Sequence, residues 1–248
     1  MKMTGNTILI TGSTTGIGRA LAEAFHKLGN QVIVSGRRQN KLDEVTVANP
    51  GMASLPLDIT DPASIEAFVA KAVSNFPALN VVINNAGIMR MEKMVDSPAS
   101  LSDAEEMIAT NLLGTVRVSA ALLPHLLKQP KGTLINVSSG LAFVPHINAP
   151  TYSATKTGVH FYTMSLRRQL QGTNVDVVEI VPPYVQTELL GTFQLSDPHA
   201  MPLADFISET MGHLESGASE SVVENCKPFR FAAENGKIAE FMEMTAAH

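Results

Sequence analysis

The chain has 248 residues, of which 45% are hydrophobic and 17% charged, and its formal net charge at pH 7 is −5. This composition is that of a soluble globular protein and gives no reason to expect nucleic acid or an anionic membrane surface as a partner. A single cysteine, Cys226, excludes an internal disulfide and is consistent with a reducing compartment. We therefore expect one cytoplasmic domain over residues 1–248, in which Cys226 is an incidental thiol.

The chain begins with a predicted strand, a glycine turn and a helix. Residues 8–10 form a short apolar run, as in a strand buried on both faces of a parallel sheet. Gly12, Gly16 and Gly18 follow, and apolar residues then recur at helical spacing as far as Leu28. Such a turn indicates a diphosphate site, because backbone N–H groups at a helix N-terminus can approach an anion closely where side chains are absent. Many sheet-to-helix turns need glycine for their own conformation, so the cluster by itself leaves both interpretations open.

The second predicted strand, at residues 32–34, ends at a pair of arginines. In dinucleotide-binding folds an acidic residue about 20 positions beyond the glycines binds the adenosine ribose, whereas an arginine accommodates a 2′-phosphate. Here that position holds Gly36, followed by Arg37 and Arg38. Guanidinium groups bind phosphate through charge-assisted hydrogen bonds, so the sequence favours NADP(H) over NAD(H). The alternative is a solvated basic helix start, which the helix dipole disfavours.

Strands and helices then alternate regularly. A third strand ends at Asp58, and the pair Asp61 and Pro62 supplies the capping acid and first-turn proline of a helix. A fourth strand at residues 81–83 leads into the sequence NNAG at 84–87. This alternation with short links predicts an α/β fold with a doubly wound parallel sheet. Ligands of such sheets bind at the carboxyl ends of the strands, where these glycine and polar turns collect.

Two long apolar helices are predicted in the second half of the chain. The first runs over 102–127 after a looser segment at 97–100, and the second runs over about 151–170. Strands at 133–137 and 175–181 follow them. A helix that is apolar nearly all round is buried on more than one side. One sheet face cannot cover both helices, so we expect a homodimer or homotetramer with a two-fold interface through them.

Three side chains in the middle of the chain indicate proton-transfer chemistry. Tyr152 and Lys156 are four residues apart at the start of a helix and share one face, while Ser139 closes the preceding strand. Tyrosine has an ordinary pKa of about 10. We expect the lysine ammonium to favour the phenolate and to bring Tyr152 toward useful proton transfer, with the Ser139 hydroxyl donating to the same substrate oxygen. A tyrosine and a lysine at this spacing also occur by chance, so the pair alone is weak evidence.

A set of ordered motifs resembles the short-chain dehydrogenase/reductase family. They are TGSTTGIG at 11–18, NNAG at 84–87, Asn111 within TNLLG, the serine pair at 138–139 and YSATK at 152–156. The order and spacing of the family are kept from the first strand to about residue 187. The resemblance implies a Rossmann-like fold, a nicotinamide cofactor, and hydride transfer between that cofactor and a small or medium carbonyl or alcohol substrate.

The resemblance also implies a role for each matching residue. Tyr152 is the general acid/base, and Lys156 holds the nicotinamide ribose and lowers the tyrosine pKa. Ser139 orients the substrate, and Asn111 supports a water chain that relays the proton. The expected cofactor-binding residues are Gly12, Thr14, Thr15, Gly16, Ile17, Gly18, Arg37, Arg38, Asp58, Ile59, Asn85, Ala86, Gly87, Tyr152, Lys156, Pro182, Val185 and Thr187. The alternative for Asn111 is to cap backbone groups, and Ser138 is expected to serve the strand end alone.

The chain departs from the family pattern in two places. Pro182 is followed by Pro183 where the family usually has glycine, which alters the nicotinamide end without removing a catalytic group. The glycine-rich ending of the family is absent, so a seventh strand is doubtful, and the spacing of Ile238, Phe241 and Met242 predicts a short amphipathic helix instead. The segment VPPYVQTEL and the C-terminal ending resemble a subgroup of uncharacterised oxidoreductases associated with D-alanine transfer to cell-wall polymers.

Three segments are expected to contact the substrate: the loop after Gly87, residues 141–151, and residues 188–213 within a substrate-loop region at about 188–215. A C-terminal extension follows at about 220–248. Apolar side chains in these segments indicate a nonpolar or amphipathic carbonyl compound, with core packing as the competing explanation; they are Met89, Met91, Met94, Phe143, Pro145, Leu189, Leu190, Phe193 and Met201. His146 is expected to be a surface or loop residue. The histidines and the cysteine show no metal-ligand spacing, so no metal is expected.

Two other classes of function compete with the enzyme. A protein that senses NADP(H) or binds a partner through the same fold would need the glycine turn only. The presence of Ser139, Tyr152, Lys156 and Asn111 therefore favours turnover. An epimerase or dehydratase is disfavoured because such relatives usually carry a larger C-terminal substrate domain.

Overall fold

The computed structural model describes residues 1–92 and 101–246, and its centre is a seven-stranded parallel sheet. The strands are β1 Thr7–Thr11, β2 Gln31–Gly36, β3 Ala53–Pro56, β4 Leu79–Asn84, β5 Gly132–Val137, β6 Val175–Val181 and β7 Glu220–Val222. Their order in the sheet is β3-β2-β1-β4-β5-β6-β7, and each neighbouring pair is parallel. This order reverses direction after β3, so the predicted doubly wound α/β architecture is confirmed.

Helices cover both faces of the sheet. In the described part of the chain they are α1 Gly16–Lys27, α2 Gln39–Ala48, α3 Pro62–Asn75, α4 Leu101–Met107, α5 Thr115–Leu126, α6 Pro150–Gln169, α7 Leu203–Glu215, α8 Lys227–Arg230 and α9 Ile238–Ala246. Ile8 and Ile10 of β1 face one core, which includes Phe25 of α1 and Phe206 of α7. Leu9 faces the opposite core with residues of α3, α5 and α6. Burial on both faces is the physical reason why the strands are continuous apolar runs.

The predicted helix over 102–127 is a helical run from 101 to 126 with a π-helical segment at Ile108–Gly114 between α4 and α5. By length and composition this run could cross a membrane. In the fold it is a core helix, because Val118, Leu122 and Leu126 are buried against the sheet. The segment predicted to be looser, 97–100, lies outside the described residues.

The doubt about a seventh strand was wrong. β7 pairs in parallel with the carboxyl half of β6, with Glu220 opposite Glu179 and Val222 opposite Val181. A strand of three residues has too little length to show a period of its own, and it forms here because β6 offers an unpaired edge. The amphipathic helix predicted around Ile238 is confirmed as α9.

Candidate active site

A cleft of about 1040 Å³ runs along the carboxyl ends of the strands. Most of the residues predicted from the sequence line it, from the glycine turn at one end to the tyrosine and lysine at the other. They are Gly12, Thr14, Thr15, Gly16, Ile17, Arg37, Arg38, Asp58, Ile59, Asn85, Ala86, Gly87, Ser139, Tyr152, Lys156, Pro182, Val185 and Thr187. Two predicted residues, Gly18 and Asn111, do not line the cleft.

The turn after β1 fits a diphosphate. Gly12 has a φ of +62°, and a Cβ at this position would lie 2.6 Å from the Cα of Ala86, so a side chain cannot be accommodated. Gly16, with a φ of +55°, opens α1, whose first turn has no acidic residue. The Thr11 hydroxyl accepts the N–H groups of Asn85 (3.0 Å) and Ala86, which locks the end of β4 against the turn. The bare backbone and the helix N-terminus together provide the anion cradle that the sequence indicates.

Gly18 was predicted to bind the cofactor, but it lies behind the turn. A Cβ at Gly18 would overlap the side-chain amide of Asn85. That amide donates to the carbonyl oxygens of Thr11 (3.1 Å) and Gly12 (3.0 Å). Gly18 therefore allows α1 to pack closely on the end of the sheet, and its contribution to the cradle is indirect.

Arg37 and Arg38 lie at the end of β2, where both side chains are exposed and line the cleft. Across from them, the Asp58 carboxylate accepts hydrogen bonds from the Thr60 hydroxyl (2.7 Å) and the Thr60 N–H (2.9 Å). The hydroxyl bond is the main cause that lowers the pKa of Asp58, and the charge of Arg37 acts in the same direction. This end of the cleft thus presents two guanidinium groups beside a carboxylate that already has its own donors.

Ser139, Tyr152 and Lys156 meet at the opposite end of the cleft. All three are buried, and they come from the end of β5 and the first turns of α6. The Ser139 hydroxyl lies close enough to Tyr152 to act on the pKa of its phenol, and it accepts the N–H of Leu141 at 3.1 Å. The Lys156 ammonium donates to the carbonyl oxygen of Val137 at 2.9 Å and lies 5.7 Å from the centre of the Tyr152 ring. The structure therefore brings together the three groups that the sequence singled out.

The pKa values of this pair differ from the expectation. Burial raises the pKa of Tyr152 to about 12, and the hydrogen bond with Ser139 opposes this only in part. Burial lowers the pKa of Lys156 to about 8, against the opposing charge of Glu179. In the protein without ligand, the pKa of Tyr152 is therefore not lowered toward neutral pH, because burial disfavours the phenolate more than the Ser139 hydroxyl stabilises it.

Asn111 lies in the π-helical segment and is buried away from the cleft surface. Its side chain accepts the N–H of Ile88 and donates to the carbonyl oxygen of Ile88, both at 2.9 Å, and it donates to the Thr155 hydroxyl at 3.2 Å. This is the backbone-capping arrangement named as the alternative to the water relay. A Cβ at Gly87 would lie 3.3 Å from the Asn111 amide oxygen and 3.5 Å from the Lys156 ammonium, so the glycine keeps this region open.

The end of β6 closes the cleft from the other side. Thr187 is buried, and a Cβ at Gly16 would lie 3.5 Å from its side chain. Its hydroxyl accepts from the Gln194 amide at 3.2 Å, which holds the loop after β6 in place. Pro182 uses its carbonyl oxygen to accept the N–H of Gly140 at 2.8 Å. Pro182 thus joins the end of β6 to the residue after Ser139.

The three predicted substrate segments contribute unequally to the cleft. Of the predicted apolar contacts and His146, those that line it are Met89, Met91, His146, Leu189, Leu190, Phe193 and Met201. Phe143 packs against His160 and Arg230 instead, and Pro145 faces a smaller cavity. Residues 203–213 were wrongly included, because they belong to α7, which packs in the core with Phe206 fully buried. Met94 lies outside the described residues.

Sequence reasoning missed two contributions to the site. The buried Glu92 carboxylate accepts the Thr151 N–H at 2.8 Å and the Thr151 hydroxyl at 2.7 Å, one residue before Tyr152. From the C-terminal part of the chain, further residues line the cleft: Asn225, Cys226, Phe229, Met244 and Thr245. Neither contribution belongs to a local motif, so only the proximity of distant segments reveals them.

One group of possible metal ligands occurs among the described residues, formed by His160, Glu179 and Glu220. His160 Nδ1 lies 2.9 and 3.0 Å from the two Glu179 carboxylate oxygens. Glu220 is paired with Arg230, whose Nε lies 2.6 Å from its carboxylate. A guanidinium beside the group opposes the binding of a cation, so these contacts are those of a buried hydrogen-bonded pair next to an ion pair.

Comparison with known proteins identifies the family. A family model described as short chain dehydrogenase matches residues 6–197. The chain belongs to the short chain dehydrogenase family. It is 41% identical over 189 residues to the uncharacterized oxidoreductase DltE of Bacillus subtilis, an alignment that covers 76% of this chain and 75% of that protein. This relative is consistent with the subgroup resemblance of the VPPYVQTEL segment.

Solved structures of short chain dehydrogenases share the fold. A serine dehydrogenase in complex with NADP+ is 30% identical with a TM-score of 0.75, covering 82% of this chain and 86% of that one. A short chain dehydrogenase from Burkholderia cenocepacia in complex with NADP is 25% identical with a TM-score of 0.84, covering 98% of this chain and 99% of that one. The chain is therefore an oxidoreductase of this family with a Rossmann-like fold.

Proposed function

We propose that this protein is an NADP(H)-dependent oxidoreductase that interconverts a carbonyl compound and its alcohol, with Tyr152 as the general acid/base. The observation that carries the proposal is one continuous cleft that joins the glycine turn and two arginines to Ser139, Tyr152 and Lys156. Family membership supports the reaction class. The two similar structures described as NADP complexes support the choice of cofactor.

Tyr152, Ser139 and Lys156 each have a separate role in the proposed reaction. The Tyr152 phenol donates the proton to the carbonyl oxygen in reduction, since a hydroxyl with a pKa of about 12 keeps its proton at neutral pH. The Ser139 hydroxyl, which lies beside Tyr152, holds the substrate oxygen at the same point. A bound nicotinamide supplies the hydride in reduction and accepts it in oxidation. Lys156 is available to the ribose hydroxyls, and its charge stabilises the phenolate that remains after proton donation.

The direct test is NADPH absorbance followed against a panel of aldehydes and ketones. We expect wild-type turnover and a loss of about a hundredfold or more in Tyr152→Phe, because a positioned general acid contributes on this scale. Tyr162→Phe, on the same helix but away from the cleft, is the matched control and should keep full activity.

Two outcomes would contradict the proposal. Equal turnover by Tyr152→Phe would remove the tyrosine from the mechanism. NADPH binding by the wild type without turnover of any carbonyl compound would favour the sensing protein on the same fold.

A further inference from the structure

The C-terminal helix α9 lies against the active-site end of the cleft. Phe241 of α9 stacks on Phe229, with ring centres 5.3 Å apart and planes at 25°. The Cβ of Phe229 lies 3.6 Å from the position of a Cβ on Gly140, the residue directly after Ser139. Through Phe229, α9 is therefore linked to the residue that follows the serine of the proposed catalytic group.

The same helix also reaches the start of α6. Met242 borders a second cavity of about 440 Å³ together with Ser153 and Ala154, which directly follow Tyr152. Two residues further along, Met244 lines the main cleft and is about half exposed. The helix therefore reaches from the start of α6 to the main cleft, where Met244 is part of the lining.

Tyr152 also packs against apolar residues. Tyr152 belongs to a small core cluster with Met89, Met107 and Ala149. Met89, Leu141 and Leu190, which belong to or pack against this cluster, line the cleft, and so do Phe193, Phe229 and Met244.

Ionisable side chains also line the cleft, among them Arg90, His146, Lys156 and Glu188. Arg90 donates to the carbonyl oxygen of Met89 and pairs with Glu106 at 3.5 Å. Burial lowers the pKa of His146, which favours the neutral imidazole. An alkyl group on the substrate would gain contact area against the apolar side chains of the wall, whereas a charged group placed against them would lose hydration.

We propose that α9 is the outer wall of the substrate site, that Met244 is a specificity-determining residue, and that the substrate is an uncharged carbonyl compound with an apolar body. The reaction in this inference rests on the proposed function. The role of α9 as a wall, and the class of compound proposed to contact it, depend only on where α9 lies.

The first experiment compares NADPH-dependent reduction of 2-butanone and 2-octanone, and of acetoacetate and its methyl ester. We expect kcat/KM to be higher for 2-octanone than for 2-butanone and for the ester than for the anion. Met244→Ala should lower kcat/KM for 2-octanone about tenfold and leave 2-butanone nearly unchanged, since lost apolar contact penalises only the longer chain. Ile238→Ala, on the same helix but outside the cleft wall, should leave both values unchanged.

A second experiment needs neither cofactor nor turnover. The chain contains no tryptophan, so Met244→Trp places a single indole in the wall. Titration with 2-octanone should change its emission saturably, whereas Ile238→Trp should show only a linear response.

The outcomes separate this inference from the proposed function. Turnover of ketones with an unchanged chain-length preference in Met244→Ala, or a preference for acetoacetate over its ester, would overturn the inference and leave the reaction intact. A saturable emission change in Met244→Trp without turnover of any carbonyl compound by the wild type would overturn the reaction and support the wall.

Discussion

The environment of Lys156 determines its charge and makes that charge depend on pH. The side chain is 4% exposed, and burial lowers its pKa from 10.5 to about 8, with Glu179 opposing. Between these two values the unfolded chain binds more protons at this residue than the folded protein does. The contribution of Lys156 to stability is therefore least favourable below about pH 8 and improves as the pH rises toward 10.5.

This sign gives a prediction for Lys156→Met in the protein without ligand. The free energy of unfolding of the wild type, minus that of the variant, should rise by about 1 kcal/mol per pH unit between pH 8 and 9.5. Urea unfolding at several pH values measures it. A difference that is constant with pH would mean that Lys156 keeps its ordinary pKa. Lys131→Met, at an exposed ion pair, is the control, and its difference in unfolding free energy should not change over this pH range.

The preference for NADPH over NADH is expected to depend on Arg37 and Arg38. Replacing both with alanine should weaken NADPH binding tenfold or more and leave NADH binding unchanged, because about 1.5–3 kcal/mol is lost with each hydrogen bond to a charged phosphate. Fluorescence titration with the two nucleotides measures the ratio. Arg168→Ala, in the last turn of α6, controls for the loss of positive charge. An equal loss for NADPH and NADH would place the arginines away from the 2′-phosphate.

At the scale of elements, α6 depends on a cap from another part of the chain. Its N-cap residue is Ala149, whose methyl side chain cannot accept a hydrogen bond from the helix N-terminus. Pro150 occupies the first turn. The cap comes from Glu92, whose buried carboxylate binds the N–H and hydroxyl of Thr151. A negative charge at a helix N-terminus is favourable, so Glu92 ties the loop after β4 to the helix that carries Tyr152.

Glu92→Ala should lower the free energy of unfolding by about 1–2 kcal/mol through loss of this cap. It should also lower kcat more than it raises KM, because Tyr152 follows Thr151 directly. Glu92→Gln, which keeps an acceptor oxygen, should recover most of the loss in denaturant midpoint and in kcat. Glu106→Ala, which removes an exposed acid near the same loop, should change neither the denaturant midpoint nor kcat. If Glu92→Ala kept the stability and kcat of the wild type, the start of α6 would need no cap.

At the scale of the whole molecule, the two long helices leave large apolar side chains exposed to solvent. Ile108 and Leu113 are each 41% exposed on the run from 101 to 126, and Phe161 and Met164 of α6 are 61% and 44% exposed. Exposed apolar side chains of this size are typical of a surface that another subunit covers. These residues support the homo-oligomer proposed from the sequence.

Light scattering coupled to size-exclusion chromatography at micromolar concentration should give two or four times the 26.5 kDa of one chain. Phe161→Glu should shift the protein toward monomer, because a charge would be buried in the interface. Leu28→Glu, at an exposed apolar residue after α1, should leave the mass unchanged. A wild-type mass of only one chain would contradict the proposed homo-oligomer.

Most of the fold was predictable because its signals are local. The apolar runs of β1, β4 and β6 and the cap at Asp61, which accepts the Ala63 N–H at 2.9 Å, are encoded in neighbouring residues. The π-helical segment around Asn111 was not, since the apolar periodicity of the helix is nearly the same with or without it.

The sequence by itself determined the parallel sheet, the glycine turn and the residues that gather at the active-site end, because each depends on periodicity or on a short motif. Only the tertiary structure decided four features: the pairing of β7 with β6, the Glu92 cap on α6, the position of Gly18 and Asn111 outside the cleft lining, and the position of α9 beside the cleft. It also decided that the pKa of Tyr152 is raised and not lowered. The physical reason is the same in each case, since burial and contact between segments far apart in the chain leave no local pattern.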